Sequence, residues 1–166
     1  MNRRILTITI VLLLLALASF AVVYADGKSD LAQVRAATAR FHRPAAAEEA
    51  GWVLVDGLDH CFENPGVGAM GYHYINEPLD VNIDVLAPEA MVYAPGPKEG
   101  QLQLAAVEYI VPVAAWEAAE NEGLPTVLGK EFHLNEALGV YVLHAWIWKN
   151  NPSGMFEDWN PNVTCP

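Results

Sequence analysis

From Gln101 to Val111 the chain has a long run of period-two character, with Leu102, Leu104, Ala106, Glu108 and Ile110 on one face by alternation. A strand of this length presents a row of backbone donors and acceptors along both edges, so it needs partner strands and commits the chain to a sheet. The preceding Pro95-Gly96-Pro97-Lys98-Glu99-Gly100 is rich in turn formers and predicts a hairpin with Ala90–Tyr93. Alternation also places Glu108 in line with core residues. A carboxylate there is costly unless it is paired, protonated or bound to a cation.

Further strands are predicted at Trp52–Val55, Met70–Ile75, Glu131–Leu134 and Tyr141–Trp148. On the second of these, His73 shares a face with Gly71 and Ile75, while Tyr72 and Tyr74 face the other way. Glu131 and His133 share a face of the third, and Val142, His144, Trp146 and Trp148 share a face of the last. Asp56–Gly68, with His60 and Cys61, reads as a loop, and Asn150–Pro166 as a turn-rich wrap. His42 and His60 are assigned to the surface.

Asp30 with Gln33 forms a capping-box pattern before Leu31, Val34, Thr38 and Phe41 at helical spacing, and Pro44 suits the first turn of a short helix that Gly51 can end. Pro112–Glu122 is predicted as a helix presenting Val113, Trp116 and Ala119 to the core. The whole reads as an α+β fold: a curved antiparallel sheet of about six strands, a cone or half-barrel, with an N-terminal helix and one further helix packed on it.

Arg3 and Arg4 precede an uncharged run from Ile5 to Val23, and Val23-Tyr24-Ala25 fits a signal-peptidase site. Residues 1–25 are therefore expected to be a cleaved signal peptide, leaving 26–166 as a single globular domain in an extracytoplasmic location, secreted or in the cell envelope. The run approaches the roughly 20 residues that span a bilayer, which makes a retained anchor the alternative. In such a compartment Cys61 and Cys165, the only cysteines, are expected to pair. Without Arg3 and Arg4, seven Lys/Arg face twenty Asp/Glu, a formal charge of -13. That balance argues against nucleic acid and anionic membrane surfaces as partners and leaves small molecules and metal ions.

His73, His133 and His144 with Glu108 are the polar members of the inward-facing set, and Glu131, two residues before His133, is a candidate to orient or polarise its imidazole. Imidazoles and a carboxylate suit a divalent transition metal, Zn, Cu, Fe or Mn, and three or four such ligands leave room for oxidative or hydrolytic chemistry. They come from separate strands and form no compact motif. The competing reading is a non-catalytic ligand-binding or interaction module in which Trp146, Trp148, Trp159, Tyr72 and Tyr74 line an aromatic cleft rimmed by Asn150, Asn151 and Asn160, with the histidines structural. Asp80, Asn82 and Asp84 match the first ligands of an EF-hand loop, but Val85 replaces its glycine and Met91 its bidentate glutamate, so a solvated acidic loop is expected. Asn162-Val163-Thr164 fits a glycosylation sequon, and no Gly-x-Ser-x-Gly occurs.

The segments Gly71-Tyr72-His73-Tyr74, Glu131-Phe132-His133-Leu134-Asn135, Leu143-His144-Ala145-Trp146, Asn151-Pro152-Ser153-Gly154-Met155-Phe156 and Trp159-Asn160-Pro161 resemble a group of exported bacterial hypothetical proteins. The resemblance covers most of the mature chain. It implies a bacterial, extracytoplasmic origin and brings no activity, cofactor or catalytic residue with it.

Overall fold

The computed structural model describes residues 30–166; the expected signal peptide and its cleavage site lie outside the described residues. Residues 30–38 are helical (α1) and tighten into a 3-10 turn at Ala39–Phe41. Pro44, whose ring clashes with a continuing helix but suits a first turn, restarts the chain as α2, Pro44–Glu48. Strands β1 (Val53–Leu54), β2 (Phe62–Asn64), β3 (Gly68–Ile75), β4 (Ala90–Pro95) and β5 (Leu102–Pro112) follow. Then come α3 (Val113–Ala118), β6 (Thr126–Val127), β7 (Lys130–Glu131), β8 (His133–Asn135) and β9 (Val140–Ala145).

Seven strands form one antiparallel sheet in the order β1-β3-β4-β5-β9-β8, with β2 also pairing with β3; β6 and β7 form a separate two-stranded ribbon. The class is α+β as expected, with two corrections. The sheet is not closed into a barrel, and the described residues hold three α-helices, the short helix expected at Pro44 standing beside the two counted in the overall architecture. No helix among the described residues is long and apolar enough to cross a membrane.

The sheet divides the molecule into two apolar layers. On one face Tyr74, Met91, Tyr93, Val107 and Tyr109 pack against Val34, Phe41, Ala47 and Trp52 from the helical segment. The buried hydroxyl of Tyr93 donates to the Phe41 carbonyl at 2.6 Å, and that of Tyr109 to the Val85 carbonyl at 2.7 Å. Both of these hydroxyls thus have an acceptor. On the other face Ile75, Ala90, Ile110 and Val142 meet Val55, Leu58 and Leu79 from loops. Beside them Ala69, Val92, Ala106 and Trp146 meet Val163 and Cys165 from the C-terminal tail.

Three local features depart from simple alternation. The register of β4 with β5 slips between Val92 and Tyr93, so Val92 faces Ala106 while Tyr93 faces Leu104. Ala105 is the extra residue, and it transfers Leu102 and Leu104 to the helix-covered face while Ala106, Glu108 and Ile110 stay on the other. The last strand stops at Ala145, and Trp148 turns back to pack on the helical layer, where its Nε1 donates to Thr38. Helix α3 buries none of its residues, so Val113 and Trp116 are only partly covered and Ala119 is exposed.

Candidate metal centre

Backbone pairing sets Ile75 opposite Ala90, Ala90 opposite Glu108 and Glu108 opposite His144, across β3, β4, β5 and β9. His73 lies two residues before Ile75 and so projects from the same face. Their side chains converge there: His73 and Glu108 are 6% exposed and His144 1%. His73 Nε2 lies 3.2 Å from His144 Nε2 and 3.4 Å from Glu108 Oε2, and His144 Nδ1 lies 3.5 Å from Glu108 Oε1. These three residues form a buried group whose ligand atoms fall within 4.8 Å of one another, geometrically able to hold a metal ion.

A fourth member comes from the tail. Asp158 Oδ1 lies 3.2 Å from His144 Nδ1 and its Oδ2 lies 2.9 Å from His133 Nε2. The tail is fixed around this carboxylate. Glu157 O accepts from Trp146 Nε1 at 2.6 Å and Asn151 Nδ2 at 3.3 Å, and Trp159 O accepts from Asn151 Nδ2 at 3.1 Å. Asn160 exchanges two backbone hydrogen bonds with Ala69, and the disulfide between Cys61 and Cys165 closes the loop behind it. A Cβ at Gly68 would run into the carbonyl of Asn160, so this close approach of tail to β3 requires glycine.

Charge follows from burial and pairing. Burial, reinforced by His144, lowers the pKa of His73 to about 3, so its ring is neutral and carries a lone pair at neutral pH. Burial also pushes His144 toward neutrality, but Glu108 and the hydrogen bond to Asp158 outweigh it and the net shift is upward. Burial raises the Glu108 carboxyl above its usual range. Burial acts the same way on Asp158, but hydrogen bonds from His133 and His144 dominate and hold it well below. The bond to Asp158 raises His133. His144 donating from Nδ1 to Asp158 leaves its Nε2 lone pair toward His73. Phe62 meets the His73 ring edge-on with centroids 5.2 Å apart, and His73 Nδ1 is the one buried side-chain polar atom among the described residues without a hydrogen-bond partner.

His73, Glu108 and His144 thus come together as alternation predicts, but two other candidates do not join them. His133 pairs with Val142 on the edge strand β8; its side chain is 46% exposed and reaches Asp158, not the buried group. Glu131 belongs to β7, where it pairs with Thr126 and is exposed, because the predicted Glu131–Leu134 strand breaks at Phe132 into two ladders. The carboxylate that bonds His133 is that of Asp158, not Glu131. Its position in an aperiodic tail hid it, although pairing of Cys165 with Cys61 requires the tail to return to the sheet.

No protein-family model, curated protein or solved structure matches the chain.

The aromatic residues of the competing reading are dispersed. Tyr72, Tyr74 and Trp148 belong to the helix-covered layer, Trp146 is buried under the tail, and Trp159 lines the cavity beside His144. Asn151 and Asn160 tie the tail together, and Asn150 accepts from Asn160 and Asn162 through its carbonyl. Asp80 and Asp84 likewise accept from their own loop, at Asn82 and Leu86. The EF-hand-like ligands are therefore turn-forming groups.

Proposed function

We propose that the protein binds one divalent first-row transition metal through His73 Nε2, His144 Nε2 and a Glu108 oxygen, with Asp158 orienting His144. The spacing carries this reading. Tetrahedral ligands on bonds of roughly 2.0–2.1 Å stand about 3.3 Å apart; two of the three edges, the imidazole pair at 3.2 Å and the His73–Glu108 pair at 3.4 Å, fit that spacing, and all three ligand atoms lie within 4.8 Å of one another. Hydrogen bonding alone accounts for the group less well. A charge-assisted bond closes to about 2.7–2.9 Å, yet Glu108 stands at 3.4 and 3.5 Å from its two partners. A bound ion would leave a coordination position for water or substrate and supply Lewis-acid chemistry there, hydrolytic or, with a redox-active metal, oxidative. The disulfide supports placing the protein outside the cytoplasm.

The test is zinc titration of tag-free protein against a chromophoric chelator. One equivalent should bind, be lost in His73→Ala and His144→Ala, and persist in His133→Ala. Protein that does not compete for zinc, or whose binding survives both buried substitutions, would refute the reading.

A further inference from the structure

The two imidazoles and Glu108 form the floor of a cavity of about 310 Å³. Its walls include Val55, Leu58, Phe62, Leu79, Ile110 and Leu138, and no lysine or arginine lines it. At roughly 30 Å³ per water-sized group, the volume accommodates on the order of ten non-hydrogen atoms. We infer that the metal-loaded site takes a small aromatic or branched aliphatic monocarboxylate, its carboxylate on the metal and its hydrocarbon part against these walls. The inference rests on the metal reading above.

Charge and shape select that class. A divalent ion carries two positive charges and Glu108, the one carboxylate among its proposed ligands, supplies one negative charge, while Asp158 is engaged by His133 2.9 Å away and by His144; the ion therefore favours one further anionic ligand. A phosphate dianion would lack the basic donors that ordinarily hold it. Most of the wall is hydrocarbon, with Asn135, Glu77 and Asp158 its polar members outside the floor, so a polyol would leave most of its hydroxyls against apolar side chains, at a cost for each. Glu77 stands at the cavity edge and repels a second carboxylate. The apolar wall then rewards a compact hydrocarbon body.

Calorimetric titration of the zinc-loaded and the metal-free full chain with benzoate, acetate and phthalate tests this. Zinc-loaded protein should bind benzoate about tenfold or more tighter than acetate and than phthalate, and metal-free protein should bind benzoate at least about tenfold more weakly. Leu138 is exposed at the rim, so Leu138→Asn leaves the fold intact and should weaken benzoate about threefold without changing acetate. Equal affinity for benzoate and acetate with zinc bound would overturn this inference and leave the metal reading standing. Benzoate binding that is indifferent to zinc would overturn the assigned role of the floor. Failure to bind zinc would overturn both.

Discussion

Asp158 makes the sharpest prediction, because its one hydrogen bond to a proposed ligand is the one to His144. Its Oδ1 lies 3.2 Å from His144 Nδ1, which fixes the tautomer that leaves Nε2 free, and its negative charge raises the basicity of that nitrogen. Removing such a partner ordinarily lowers metal affinity about 10–100-fold, or about 1.4–2.7 kcal/mol. The two available substitutions should divide that range. Asp158→Asn keeps a carbonyl that accepts from His144 but loses the charge, so its zinc affinity should fall about tenfold. Asp158→Ala leaves a buried N–H without an acceptor and should approach the hundredfold limit. Chelator competition at neutral pH reads both, and a histidine-detected NMR titration of the metal-free protein supplies a control. His133 is raised chiefly by its bond to Asp158, so its pKa should move down toward the ordinary value in both variants. Zinc affinities within about twofold of wild type in both, with His133 shifted as expected, would refute the orienting role; an unshifted His133 would refute the placement of Asp158 itself.

Glu108→Leu should abolish zinc binding yet leave the metal-free protein as stable as wild type or about 1–3 kcal/mol more so by urea denaturation, since it replaces an imperfectly paired buried carboxylate with an apolar group; a destabilised variant would count against the site. His73 has a folded-state pKa below its unfolded value, so the stability it contributes is present above about pH 6.5 and is lost as pH falls toward 3; between pH 6.5 and 4.5 wild type should lose stability relative to His73→Leu, and parallel profiles would contradict this. Against the effect of burial, Glu108 and Asp158 raise the pKa of His144 above its ordinary value, so an arriving ion displaces its proton; zinc binding should release protons and strengthen with rising pH through the neutral range, as calorimetry in buffers of different ionisation enthalpy will report. Replacing both Cys61 and Cys165 with serine opens a loop of sequence separation 104 and should cost about 4–5 kcal/mol in the chain-entropy treatment, together with a loss of zinc affinity as Asp158 is released; unchanged affinity would show that the tail holds its place without the bond.

Alternation was sufficient to assemble the buried group because the register is unbroken where it matters. Nothing interrupts β5 between Ala106 and Ile110, so Glu108 keeps the phase that its neighbours predict, and Ala90 connects it to Ile75 and hence to the face of His73. The same counting fails at Leu102 and Leu104, since Ala105 adds a residue to one strand and no side-chain pattern announces it. It fails at Trp148 because the strand ends at Ala145, where Ile147 N turns back to bond the Ala145 carbonyl. Asp158 belongs to a tail whose order comes from asparagine side chains and long-range contacts. Such bonds are set by tertiary position and leave no periodic trace.

The distribution of polar groups supports the proposed metal reading of the buried cluster. The helix-covered face satisfies the Tyr93 and Tyr109 hydroxyls with single short bonds to the Phe41 and Val85 carbonyls, the arrangement expected of a layer that serves stability. The opposite face holds an imidazole with an unpartnered nitrogen and a carboxylate raised by burial, beside a cavity instead of a packed interior. Each of these opposes folding, and apolar residues of similar size would remove the penalty. The chain instead anchors its tail at Cys165, at the Ala69–Asn160 bridge and through Asn151, and so places Asp158 against His144. Three separate anchors for one carboxylate are hard to explain as packing, because Val163 and Trp146 already supply the tail's apolar contact with the sheet. They follow directly if His144 must keep one tautomer and one orientation, which is what a ligating imidazole requires.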